Sequence, residues 1–353
     1  MVTVANFDGL IGSTHNYAGL SFGNLASFAN TGLISNPHAA ALQGLEKMKK
    51  MSDIGLFQGV LPPHQRPYLP MIRNLGFQGN DNEIFQSAWK HSPDLMVNFF
   101  SASSMWAANS ATVSPSSDCN DNRLHLTVAN MSEMFHRSME SSQTYRSLKK
   151  AFPFAKVHEA LFSHSFLADE GAANHVRLCG EKSKKGVELF VYGRDAYTKS
   201  NSVYPARQTY QASETITRNH GLEILRTVYA KQSERAINAG AFHNDVVCVG
   251  AMSTLFYHEL AFENTDKLQS DIRKSADGIF EPIFIEVKES EIPLQDAIES
   301  YLFNSMLVKI PGCEYLTLIA PLEVKKNEKV ESFCENLVAS NNTIKNIYYV
   351  DVR

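Results

Sequence analysis

The chain has 353 residues, 44% of them hydrophobic and 20% charged, with a formal net charge of -4. That is enough length for a large core, and there is no basic excess to bind a nucleic-acid backbone. No apolar run approaches membrane-spanning length and Met1 to Asp8 lacks the pattern of a signal peptide, so the reading is a cytoplasmic chain without membrane or nucleic-acid partners.

From Asp8 to Gly12 the sequence reads as a short strand. It runs into a loop, through Asn24, rich in Gly, Ser, His and Asn, whose small residues leave backbone N–H groups open. Its glycines match neither G-x-G-x-x-G nor a P-loop, which speaks against a phosphate cradle. Asn36 as N-cap and Pro37 at the first helical position open a helix that Gly55 ends. Leu42, Leu45, Met48 and Met51 read as its core stripe, with Lys47, Lys49 and Lys50 facing away. The run Leu61-Pro62-Pro63-His64-Gln65-Arg66-Pro67 reads as a stiff extended connector on the surface, followed by a helix over Asn82 to Lys90.

Three polar clusters then lead into strands. The first is Asn109-Ser110-Ala111-Thr112-Val113, with a second strand at Leu124 to Val128 and a His136-Arg137 pair beyond it. That pair suits either an anion or an ordinary surface turn. The second cluster, Asp169-Glu170-Gly171-Ala172-Ala173-Asn174-His175, packs two carboxylates, an imidazole and an amide around small residues that let a ligand approach. It precedes strands at Val176 to Leu178 and Val187 to Tyr192. The third, Phe242-His243-Asn244-Asp245, precedes Val246 to Val249 and then Thr254 to His258. Asn109, Asn174 and Asn244 recur about 70 residues apart, which predicts a repeat architecture of small mixed α/β units arranged radially, with the polar clusters converging on the axis.

Tyr204-Pro205-Ala206-Arg207-Gln208-Thr209 is expected to open a helix, which would place Arg207 at a positive helix end as a carboxylate seat. An ordinary ion pair for Arg207 is the alternative. No metal motif is read: His258-Glu259 lacks the second His of H-E-x-x-H. Strands are expected at Ile283 to Val287, Tyr315 to Ala320 and Ile347 to Val352, and helices at Pro293 to Ser305 and Glu328 to Ser340. The five cysteines, Cys119, Cys179, Cys248, Cys313 and Cys334, are scattered and contain no C-x-x-C, which fits reduced thiols. Cys248 is expected in the core, on the strand face opposite His243.

Taken in order, Asn6 to Gly12, Tyr17 to Asn24, Met105-Trp106, Phe135 to Ser138, Gly171 to His175, Tyr204 to Thr209, Phe242 to Asp245 and Tyr301 to Ser305 closely resemble the N-succinylarginine dihydrolases, over essentially the whole chain. The resemblance implies the guanidino-group-modifying superfamily and its pentein fold, an α/β propeller of pseudo-fivefold ββαβ modules. Here the chain would form a single catalytic domain over 1–353 with the last module incomplete. It further implies hydrolysis of N2-succinylarginine to N2-succinylornithine, two ammonia and carbon dioxide in the arginine succinyltransferase route of arginine breakdown. No cofactor or metal is implied, and a homodimer is.

Carried over, Glu170 is the acidic catalytic residue and His243 the general acid/base. Substrate is bound by the loop Ala18-Gly19-Leu20-Ser21-Phe22-Gly23-Asn24-Leu25-Ala26-Ser27, Asn109, His136, Arg137, Arg207 and Asp245. The residue types suit the reaction. A guanidinium is a poor electrophile that carboxylates such as Glu170 and Asp245 can hold through its N–H groups, and an imidazole can supply and take protons in turn. The family's nucleophilic Cys sits in a C-terminal Asn-Gly-Gly-Gly-Pro-Ala-Cys segment. The chain given stops at Tyr349 to Arg353, where that segment would begin, so residues 1–353 are expected to lack the nucleophile. A non-catalytic chain that binds the same ligand, and another reaction such as arginine deimination, stay open beside this reading.

Overall fold

The computed structural model describes residues 4–16, 20–21, 31–181, 184–198 and 202–352. Strand β1 (Ala5–Gly9) pairs in parallel with β2 (Phe57–Leu61), and the crossover between them contains α1 (Pro37–Asp53). Asn36 caps α1 as expected, accepting from the Ala39 N–H. Only half of its expected core stripe is inside, however. Met48 and Met51 are buried, whereas Leu42 and Leu45 lie on the exposed side. Lys47 does not face away but pairs with Asp8 at the end of β1. Three further helices, α2 (Leu69–Asn74), α3 (Asp81–His91) and α4 (Pro93–Phe100), form an excursion before the first complete unit.

That unit fulfils the repeat read from the sequence. Strand β3 (Ala111–Ser114) runs antiparallel to β4 (His125–Val128). After α5 (Phe135–Ser138) and α6 (Ser141–Ala151) the chain returns as β5 (Lys156–His158), parallel to β4. The same strand, strand, helix, strand order follows with β6 (His175–Cys179), β7 (Gly186–Tyr192), α7 (Tyr210–His220) and β8 (Thr227–Lys231). After α8 (Glu234–Asn238) come β9 (Cys248–Ala251), β10 (Thr254–His258), α9 (Thr265–Ala276) and β11 (Ile283–Val287). Beyond α10 (Leu294–Glu299) lie β12 (Met306–Val308), β13 (Leu316–Pro321), α11 (Glu323–Lys326), α12 (Glu328–Ser340) and β14 (Ile344–Val350). The architecture is thus α/β, with repeated three-stranded sheets; the last unit, expected to be incomplete, has all three strands β12, β13 and β14, and among the described residues it is the first, β1 with β2, that has only two. The middle strands β7, β10 and β13 are buried along nearly their whole length and read as continuous apolar runs, as strands covered on both faces must.

Several boundaries differ from expectation for physical reasons. Val246 belongs to a 3-10 turn, Asn244–Val246, and the strand begins only at Cys248. The helix expected over Pro293 to Ser305 stops at Glu299, and Tyr301 takes a φ of 57° that no helix tolerates. Tyr204 to Gln208 is not helical: Thr209 is the N-cap of α7, its side chain accepting from Ala212 N. The Pro-rich connector runs along the surface at Pro62, Pro63 and Gln65 but turns two of its polar side chains inward. His64 and Arg66 are buried, Arg66 bonding to the Ser101 carbonyl and lying 3.6 Å from Glu140.

Neighbouring sheets share apolar cores. Phe7 and Leu61 of the first sheet pack with Ala111, Leu126 and Val128 of the second. Cys119, Phe190, Ile216 and Leu222 join the second to the third. Leu178, Leu189 and Val228 meet Cys248, Leu255 and Tyr257, and Phe256 and Val287 meet Leu307 and Leu318. Met51 and Leu56 of the first unit in turn pack on Val308, Ile319 and Val350 of the last.

Candidate active site

The three polar clusters occupy equivalent places. Each forms a 3-10 turn just before the first strand of a sheet: Ala107–Asn109 before β3, Gly171–Asn174 before β6 and Asn244–Val246 before β9. The turns bond to one another. Asn109 Nδ2 donates to the Glu170 carbonyl at 3.0 Å, and Asn244 N donates to Asn174 Oδ1 at 3.0 Å. Gly171 makes the tight passage possible. Its φ is +74°, and a Cβ there would sit 3.1 Å from the Ala108 carbonyl oxygen.

Glu170 lies at the centre and is fully buried. Its Oε2 accepts from Arg137 Nη1 at 2.9 Å and from His243 Nε2 at 2.8 Å. Its backbone N–H donates to Gln208 Oε1 at 2.8 Å. Burial alone would raise the Glu170 carboxyl, but Arg137 and the His243 hydrogen bond outweigh it and hold the group down at about 2. Glu170 is therefore ionised at neutral pH. Burial drops His243 to about 4 despite the help of Glu170, so its imidazole is neutral. The neutral ring gives its Nε2 proton to Glu170, which leaves Nδ1 as the basic nitrogen, 4.0 Å from Asp245 Oδ1.

Asp245 completes a pair of carboxylates around one imidazole. About a third of its side chain is open to solvent, but Oδ1 is covered, and burial pushes its carboxyl up to about 7. Glu170 Oε1 and Asp245 Oδ1 are both buried without a hydrogen-bond partner among the described residues. Two such oxygens are costly unless a ligand brings donors to them. A planar cation with several N–H groups answers that requirement with charge-assisted bonds, the stronger kind.

Of the remaining expected residues, Arg207 and His136 lie close enough to Glu170 to interact with its charge. Arg207 is buried, its guanidinium carbon 4.6 Å from the centroid of the Phe242 ring, and burial lowers it to about 10, still charged at neutral pH. His136 is buried, its Nε2 3.2 Å from Ser21 Oγ, and burial beside Arg137 and Arg207 holds it neutral at about 3. Within the expected substrate loop, Leu20 and Ser21 are described, whereas Ala18, Gly19 and Phe22 to Ser27 lie outside the described residues. His175, from the opening motif, turns instead to Glu188 on the neighbouring strand at 2.6 Å.

Sequence reasoning gave no role to the residues that hold the site in shape. Asp169 Oδ1 accepts from Gln208 Nε2 at 3.1 Å and from Gly171 N at 3.2 Å, bracing the backbone on both sides of Glu170. Ser103 accepts from Arg137 Nε at 3.2 Å while donating to Glu140 Oε2 at 2.8 Å. Asp169 and Gln208 sit inside motifs already singled out by sequence. Glu140 and Ser103 sit in none, and only the fold brings them to Arg137.

The four buried thiols are poor nucleophiles. Burial raises Cys119 and Cys334 to about 12 and raises Cys179 and Cys248 as well. Cys248 is in the core as expected. The reason differs, because a 3-10 turn rather than a continuous strand separates it from His243.

Over residues 2–353 the chain matches the family model described as succinylarginine dihydrolase. It is 50% identical to N-succinylarginine dihydrolase 2 of Caulobacter vibrioides, over 99% of this chain and 78% of that protein. It is 48% identical to the N-succinylarginine dihydrolase of Shewanella denitrificans, over 99% and 79%. Among solved structures it resembles the product-bound N-terminal domain of ArgZ, an arginine dihydrolase of the cyanobacterial ornithine-ammonia cycle. The TM-score is 0.56 at 13% identity, covering 98% of this chain and 90% of that one. AgrE in complex with L-arginine gives a TM-score of 0.56 at 11% identity, covering 98% of this chain and 37% of that one. The fold agrees with those structures, and the match along the whole sequence decides the rest: this chain belongs to the succinylarginine dihydrolase family.

Proposed function

We propose that the Glu170, His243 and Asp245 site takes the guanidinium of N2-succinylarginine and hydrolyses it to N2-succinylornithine, two ammonia and carbon dioxide, in the arginine succinyltransferase route. The observation that carries this is the pair of carboxyl oxygens, Glu170 Oε1 and Asp245 Oδ1, buried with no hydrogen-bond donor among the described residues, on two side chains that flank the neutral His243 imidazole. Their carboxylates hold the cation and orient its carbon. A Cys thiolate, from the C-terminal Gly-Gly-Gly-Pro-Ala-Cys segment that the family resemblance implies, attacks that carbon. The two C–NH2 bonds break in turn to release ammonia, one water replaces the second amino group, a second water cleaves the C–S bond and returns the thiol, and the carbamate left on the ornithine nitrogen loses carbon dioxide. His243 gives a proton to each departing ammonia and takes one from each attacking water. Arg137 keeps Glu170 ionised. Arg207, stacked on the Phe242 ring, is the cation assigned to the succinyl carboxylates from the family resemblance, helped by Asn109, His136 and the loop over Ala18 to Ser27.

Around this site we place the five sheets as the modules of one pentein-type propeller, a single catalytic domain over 1–353, acting as a cytoplasmic homodimer. The cores shared from first sheet to last, and back to α1, support the circular arrangement. No helix among the described residues is long and apolar enough to cross a membrane.

Calorimetry tests the assignment of the two ends. N2-succinylarginine should bind more tightly than free arginine, and Arg207→Lys should weaken the succinylated ligand about tenfold while leaving arginine nearly unchanged. An ammonium does not reproduce a bidentate guanidinium–carboxylate pair. Equal weakening of both ligands contradicts the role of Arg207. Residues 1–353 alone should bind without releasing ammonia.

A further inference from the structure

On the far side of the second sheet from these turns, three histidines from three elements meet. His125 opens β4, His158 closes β5 and His220 ends α7. One nitrogen of each ring lies within 4.8 Å of the others, and the ring centroids stand 5.1 to 5.4 Å apart. His125 and His220 are buried, and His158 is half-buried. The linear sequence shows no metal motif here because the residues come together only through the fold.

We propose that His125, His158 and His220 bind one divalent transition-metal ion of the zinc class, which fastens the second sheet to the helix of the next unit. Three features point this way. The outer nitrogens are already anchored: His125 Nε2 lies 3.0 Å from Asp121 Oδ1, and His220 Nδ1 lies 2.8 Å from Ser114 Oγ. Metal-bound imidazoles are oriented in this manner, one nitrogen held by a carboxylate or hydroxyl and the other given to the ion. The inner nitrogens then face each other, His125 Nδ1 standing 3.1 Å from His158 Nε2, close to the separation of two ligands on a tetrahedral ion with bonds of about 2 Å.

His220, moreover, is the last residue of a helix, where free carbonyls favour a positive charge. On binding, His220 Nε2 would exchange its present contact with Thr127 Oγ1, at 2.7 Å, for the ion. Half-exposed His158 leaves room for a water as fourth ligand.

The test is metal uptake by the intact chain after chelator treatment and dialysis. Calorimetry with Zn(II) alone should show one site per chain. Co(II) should give the visible absorption of a four-coordinate ion, and added Zn(II) should raise Tm by a few degrees. His158→Gln, at a half-exposed position that leaves the core intact, should lose at least a hundredfold in affinity together with the Tm shift. Asp121→Asn, on the surface, should lose about ten- to a hundredfold. Absence of a saturable one-per-chain site in the unaltered protein overturns the proposal, as does uptake equally tight in both variants.

Discussion

If Asp245 holds the guanidinium as proposed, it is the residue whose charge depends on the ligand. Without one, burial leaves its carboxyl near 7, half protonated at neutral pH. A guanidinium beside Oδ1 favours the ionised form, so binding must expel that proton. Asp245 is raised, which makes the protonated free form dominant below pH 7. Affinity should therefore rise with pH by up to about tenfold per unit from pH 5.5 to 7 and flatten above it. His243, already neutral above about 4, does not add to this window. Calorimetry of N2-succinylarginine from pH 5.5 to 8 reads the slope, and Asp245→Asn should abolish it. A flat profile in the unaltered protein contradicts the account. At this scale the sequence named the charged residues but not their pairing. Arg137 reads as an anion seat in sequence, yet Glu170 takes it, because the two lie on different units that only the fold joins.

At the scale of elements, the 3-10 turn carrying Glu170 depends on one glycine. Gly171→Ala has to adopt φ near +74° with its Cβ against the Ala108 carbonyl. It should cost roughly 1–2 kcal/mol of stability and weaken substrate binding, because Glu170 is the adjoining residue. Thermal denaturation and calorimetry check both effects together, and full stability with full affinity would show that the turn is not strained as described. Element order was readable from the sequence wherever a polar cluster announced a strand, as at Asn109, Asn174 and Asn244. It failed where backbone conformation outran pattern. Tyr301 ends a helix that the spacing of Leu294, Ile298 and Leu302 continues, and the three-residue strands β5 and β12 are too short to show a period.

For the whole molecule, the contact between first and last units has no sequence signal, since it joins residues some 250 or more positions apart. Met51 of α1 packs with Val308, Ile310, Ile319 and Val350. If the sheets form one cooperative body, Met51→Ala should destabilise it by about 2–5 kcal/mol. Far-UV dichroism of the whole chain and fluorescence of Trp89 and Trp106, both near the first sheets, should still report one coincident urea transition. Two separated transitions would show that the first unit folds apart from the last.

The central claim is that Glu170 grips the guanidinium while His243 moves protons, and one comparison tests it. In the chain extended at its C-terminus by the Gly-Gly-Gly-Pro-Ala-Cys segment, ammonia release and calorimetric binding are measured for N2-succinylarginine with the parent, Glu170→Gln and His243→Asn. The parent should release two ammonia per substrate. Glu170→Gln should lose binding and turnover together, since a neutral amide gives up the charge-assisted pair. His243→Asn should keep binding within a few-fold and lose turnover by about a hundredfold or more. Turnover near the parent rate in His243→Asn, or undiminished binding in Glu170→Gln, would contradict the account.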